Sequence, residues 1–171
     1  MVRVRKGVTL MEMMVVVGIV SALFAVAAPI LTQANRQFIM VRTKVELQQE
    51  ARGIMYTITR ALRQAKSDSI VISRADTSQP FYSKITFVRE QDASTVVSST
   101  MTFQQEGTVL YQLMGGTSKR VLSRNLNYMA FTFPRSDDMG IISVSITFRK
   151  SIYEGKTKAL HMASEKVRIM N

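Results

Sequence analysis

The 171-residue sequence contains no cysteine, which excludes disulfides, thiolate-bound metals and a lipid-attached cysteine beside a membrane segment. It has one histidine, His161, so a histidine-rich metal site is excluded too, and a lone imidazole in a strand-like stretch reads as structural. No G-x-S-x-G elbow and no Walker A phosphate loop is present. The stretch Gly115-Gly116-Thr117-Ser118-Lys119 lacks the spacing of such a loop and reads as a hairpin turn. These gaps disfavour an enzyme, and no cofactor is implied. Charge is also scarce near the N-terminus, where Glu12 is the only charged residue between Lys6 and Arg36.

What fills that interval is apolar. Nineteen residues from Met13 to Leu31 are interrupted only by Gly18, Ser21 and Pro29. As a helix they span about 28 Å, close to the roughly 30 Å hydrocarbon core of a bilayer. A carboxylate costs about 2.5–3.5 kcal/mol at the bilayer centre and less toward its surface, so Glu12 calls for a partner. Cleavage after Gly7 would supply one, because the new α-ammonium on Val8 would lie one helical turn from Glu12.

The segment Lys6-Gly7-Val8-Thr9-Leu10-Met11-Glu12, with basic residues before it, the apolar run after it and Pro29 beyond, resembles the cleavage and methylation segment of type IV prepilins and pseudopilins. The resemblance implies that residues 1–7 are a leader removed by a prepilin peptidase between Gly7 and Val8. It implies N-methylation of Val8, where the family usually has Phe, and makes Glu12 the charge that sets register against a neighbouring subunit. Pro29 removes a backbone donor and should kink the helix where the apolar run ends; the resemblance associates loosening there with filament packing, and a kink merely tolerated at the membrane boundary is the alternative. The implied partners are the prepilin peptidase, other pilin or pseudopilin subunits and an inner-membrane assembly platform. The absence of cysteine removes the C-terminal disulfide loop of many major pilins, which favours a minor pilin or a pseudopilin, most like the J-type.

Two other readings of the same segment stand beside this one. Arg3, Arg5 and Lys6 with the apolar run and Ala25-Val26-Ala27 have the form of a secretory signal peptide, giving a secreted binding protein that begins at Ala28. An ordinary single-span anchor would begin at Met1. The cations flanking the run balance, three before it and Arg36, Arg42 and Lys44 after it, so the positive-inside count does not set orientation. A long following domain translocates largely regardless of charge, and the resemblance places the leader in the cytoplasm. The expected location is therefore a bacterial inner membrane, crossed once, with a periplasmic C-terminal domain.

The formal charge is +11; without the three leader cations it is +8, and setting Glu12 aside gives +9 for residues 36 to 171. Such an excess favours nucleic acid, anionic headgroups or acidic neighbours. Its cations are scattered, which suits a solvated surface, while Lys119 and Arg120 in a turn region motivate the alternative of a DNA-binding minor pilin for DNA uptake. Asp137-Asp138 before Met139-Gly140 could offer carboxylates to calcium, although calcium needs six to eight oxygens.

Beyond Pro29 the pattern becomes amphipathic. Phe38, Val41, Val45, Ala51, Met55, Ile58, Leu62 and Ala65 fall on helical steps, with one gap bridged by Gln48, predicting one apolar stripe and a helix from about Val8 to about Lys66. From Ile70 onward the period becomes two, most clearly in Ile142, Val144, Ile146 and Phe148, and also in Met129-Phe131-Phe133 and Ile85-Phe87. Runs at 100–104, 109–114 and 159–169 are strand-prone. Gln105-Glu106-Gly107, Gly115-Gly116, Pro134 to Gly140 and Glu154-Gly155-Lys156 read as turns. The expected fold is α+β and pilin-like, a long N-terminal helix packed on an antiparallel sheet. Residues 1–7 are the leader, 8–31 the membrane or filament-core helix, 32–68 its amphipathic half and 69–171 a β-rich periplasmic region.

Overall fold

The switch from an apolar run to an amphipathic stretch and then to period-two alternation is realised as one helix followed by eight strands. The computed structural model describes residues 7–89, 99–116, 118–153 and 157–170. The expected turn at Glu154-Gly155-Lys156, Thr117 and the leader cations lie outside the described residues. Packing divides the chain into two units, residues 1–41 and 42–171.

Most of the first unit is the opening part of helix α1, Leu10–Arg63. Leu, Met and Ala, strong helix formers, are interspersed with the weaker valines. Helical assignment continues without a break through Pro29. Pro29 offers no N–H to the preceding turn, and its own carbonyl accepts a bond from the Thr32 hydroxyl at 2.8 Å.

In the second unit the remainder of α1 meets two antiparallel sheets. The first contains β1 (Val71–Ser73), β2 (Lys84–Arg89), β3 (Ser99–Glu106), β4 (Val109–Met114) and β5 (Ser118–Ser123) in sequential order; the second contains β6 (Leu126–Thr132), β7 (Ile141–Tyr153) and β8 (Thr157–Arg168). Short connections produce this order, since adjacent strands in sequence pair antiparallel. At the β3–β4 hairpin Glu106 pairs with Val109, and Gly107 takes the positive φ of 60° that a two-residue turn demands.

Alternation sorts the side chains. Ile85 opposes Phe103, Phe87 opposes Met101, Phe131 opposes Val144, and Met129 opposes Ile146, all buried. These residues join Leu47, Ala51, Ile58 and Leu62 of α1 in one hydrophobic cluster. A sheet with one apolar face and a helix with one apolar stripe cover each other.

Four expectations need correction. First, the buried stripe of α1 does not pass through Phe38, Val41 and Val45, which are 66%, 60% and 44% exposed. The expected Ala51, Met55, Ile58 and Leu62 are buried, as is Ala65 just past the helix, but toward the N-terminus the buried face continues through Leu47 and Thr43. Leu47, two residues after Val45, projects about 200° round the helix from it, and the sheets cover that side. Second, the helix stops at Arg63, because tighter bonds from Gln64 N–H to Ala61 and from Ala65 N–H to Leu62 close its last turn. Ala65 then bridges to Arg89, and the Lys66 N–H donates to Val88 at 3.0 Å.

Third, Gln105 and Glu106 belong to β3 and not to the turn, which is formed by Gly107 and Thr108. Gln105 is buried. Its Nε2 donates to the carbonyls of Gly107 (2.9 Å) and Asn127 (3.4 Å), and its Oε1 accepts from the Met129 N–H at 3.0 Å. One glutamine thereby ties β3 of the first sheet to β6 of the second. Fourth, Lys119 and Arg120 lie in β5, a strand with too little alternation of burial to be legible as one.

Candidate membrane anchor and processing segment

The start of α1 is built by Thr9. Its backbone carbonyl accepts from the Met13 N–H at 3.2 Å, and its hydroxyl accepts from the Glu12 N–H at 3.3 Å. Thr9 is thus the N-cap and Glu12 the third helical residue, the T-x-x-E spacing of a capping box. The sequence carries this signal in Thr9-Leu10-Met11-Glu12. Considering Glu12 only through its need for an amine hides this cap. A carboxylate in the first turn is also favoured by the helix dipole, by about 0.3–1 kcal/mol.

Gly7 and Val8 precede the helix in exposed, non-helical backbone. A Cβ built on Gly7 would meet nothing within 4 Å. Backbone outside regular structure and open to solvent is the form in which a peptide bond can be presented to a protease. Among the described residues the Glu12 carboxylate forms no salt bridge.

From Leu10 onward the side chains of the apolar run are exposed throughout, and α1 is long and apolar enough to cross a membrane. Its polar side chains do not disturb that character. The Ser21 hydroxyl donates to the Val17 carbonyl at 2.8 Å, and Thr32 donates to Pro29. Hydroxyls satisfied by their own helix cost little in an apolar medium.

The other singled-out residues lie in the second unit. His161 is half-buried in β8. Arg135 engages both oxygens of Asp137, at 3.1 and 2.8 Å, and holds that carboxyl below the usual aspartate range. Asp138 accepts from the Gly140 N–H at 2.8 Å. The pair is therefore committed to shaping its own turn, and the described residues contain no cluster of three or more metal-ligating side chains. Lys119 contacts both oxygens of Glu106, at 2.9 and 2.7 Å, and lies 3.8 Å from the centre of the Tyr111 ring. Much of its charge is engaged within the protein, which weakens its candidacy as a phosphate contact. Comparison of the chain with protein-family models, with curated proteins and with solved structures gives no match in any of the three.

Proposed function

We propose that this chain is a minor pilin or pseudopilin, a structural subunit of a type IV pilus or a type II secretion pseudopilus. Residues 1–7 are removed by a prepilin peptidase, Val8 becomes the N-methylated terminus, and residues 8–31 hold the subunit in the bacterial inner membrane. The N-terminus faces the cytoplasm and the C-terminal domain the periplasm until an assembly platform transfers the subunit into the filament. One observation carries the reading: a lone carboxylate, Glu12, occupies the first turn of a helix whose apolar run, through Leu31, is exposed throughout.

The physical logic is exchange. An apolar cylinder stored in lipid can trade acyl chains for the flanks of neighbouring helices at little cost, since both are equally apolar. A carboxylate in that environment is costly unless paired, so the partnered position is strongly selected. The neighbour's α-ammonium supplies the pair.

Mass spectrometry of the membrane-extracted protein tests the processing, with a mature start at Val8 expected; starts at Met1 or Ala28 would support the anchor or the signal peptide instead. Glu12→Ala tests the register role. The capping bond uses the Glu12 backbone N–H, so this variant keeps the Thr9 cap and loses the charge with its small dipole contribution. Insertion and cleavage should persist while filament assembly fails, whereas Thr9→Val, which removes the cap and keeps the charge, should still assemble. Normal filaments from Glu12→Ala would refute the register role.

A further inference from the structure

In the second unit, residues 51–64, at the end of α1 and just beyond it, and residues 161–170 around β8 enclose an open groove of about 960 Å³. One wall carries Arg52, Arg60 and Arg63 with Tyr56 among them. The floor is formed by His161, Ala163 and Glu165, which project from β8 on the helix-facing side. In the β7–β8 register these three oppose Phe148, Ile146 and Val144, which are fully buried. The sheet thus extends one strand past the point where the helix covers it.

Three properties of the groove point to one kind of occupant. Its charge is unbalanced: three arginines face a single glutamate, and among the described residues none of the three has a carboxylate within 4 Å. Its rim is a strand edge, because among the described residues β8 pairs only with β7. That edge is guarded at its ends and open in the middle. Lys158 stands before the gap and Glu165, Lys166 and Arg168 after it, while Ala159-Leu160-His161-Met162-Ala163-Ser164 contains no lysine, arginine, aspartate or glutamate. Charged residues are the usual means of keeping a strand edge from pairing with another chain, and the groove coincides with the stretch that lacks them.

We propose that this groove binds an extended acidic segment of a partner protein, added to β8 as a fourth strand of the second sheet. The lengths agree. Arg52 to Arg63 spans about 16 Å along the helix, and Ala159 to Ser164, the uncharged stretch of the edge, spans about 17 Å as a strand. Carboxylates four residues apart on a strand lie about 14 Å apart, and Arg52 and Arg60 are separated by about 12 Å along α1. Acidic side chains facing the helix meet the arginines, and backbone pairing with β8 supplies affinity independent of sequence. The inference goes beyond the assembly role and rests on the second unit alone, so a mature start at Met1 would leave it standing.

The test uses the full chain in non-ionic detergent and a fluorescent eight-residue peptide of alternating Glu and Val. Binding should weaken at least tenfold when glutamate is replaced by lysine, and at least tenfold in the exposed double variant R52E/R60E, in which slow hydrogen exchange of the β7 amides confirms the fold. Two further peptides, N-methylated on the odd or on the even residues, should separate. One set loses at least tenfold, because its amides face β8, and the other binds like the parent. Peptide binding should also slow hydrogen exchange in residues 160–165. Equal binding of both methylated sets, equal binding of the lysine peptide, or displacement of the Glu-Val peptide by an equimolar thymidine oligonucleotide would overturn the proposal.

Discussion

Truncating Leu47 and Val45 separately tests which face of α1 holds the second unit together. Leu47 has no exposed surface, and Val45, two residues earlier, is 44% exposed. Leu47→Ala removes three carbons from the core. At about 0.8 kcal/mol each they account for about 2.4 kcal/mol of lost transfer energy. The residual cavity raises the expected cost to about 3 kcal/mol, within the range of about 2–5 for such truncations. Val45→Ala removes two carbons already in solvent and gains a little helix propensity, so its effect should stay within about 0.5 kcal/mol. The readout is hydrogen exchange of the Val144 and Ile146 amides in β7, a central strand bonded on both sides, measured on the full chain in detergent micelles. Amides that exchange by global opening of a unit report its stability directly. Leu47→Ala should speed them on the order of 100-fold, at 1.4 kcal/mol per tenfold, and Val45→Ala should leave them nearly unchanged. If Val45→Ala accelerates exchange as much as Leu47→Ala does, the assignment of the buried face is wrong.

Gln105→Met should destabilise the same unit by at least about 2 kcal/mol, since the Met129 N–H and the carbonyls of Gly107 and Asn127 lose their partner; a thermal unfolding midpoint within 1 °C of the parent would show that the glutamine does not join the sheets. Lys150 donates to Glu46 at 2.8 Å, and this bond together with Lys150's charge holds the Glu46 carboxyl below the usual glutamate value, with a smaller contribution from Arg42. A depressed carboxyl pKa adds stability that is fully present above the unfolded glutamate value and is lost as pH falls through the folded one. NMR titration should therefore find Glu46 ionising below ordinary glutamate, and Lys150→Met should move its midpoint upward; no movement would remove the pair from the account.

Much of the strand region is legible because alternation is a local property. Ile142, Val144, Ile146 and Phe148 alternate with polar residues and turn one face inward whatever they pack against, and all four are buried. β5 is not legible, since Ser118 to Val121 are all exposed and only its last two residues turn inward, so burial imposes no period on it. The candidate site divides the same way. Gly7, Val8, Glu12 and the apolar run are visible as sequence, and so is the Thr9 cap once the T-x-x-E spacing is sought. The groove beside β8 is not, because Arg52 and Glu165 come together only through the tertiary fold.

The sequence by itself determined a long helix, apolar at one end and amphipathic at the other, followed by antiparallel strands in chain order. Periodicity, caps and turns act over a few residues and need no distant partner. Tertiary structure alone decided that burial on α1 continues through Leu47 and Thr43 and not through Val45, Val41 and Phe38, that the strands divide into two sheets bridged by Gln105, and that one strand edge remains open beside three arginines. Each of those outcomes depends on which surfaces meet, and a helix that offers apolar residues on two sides cannot choose between them until a sheet packs against one.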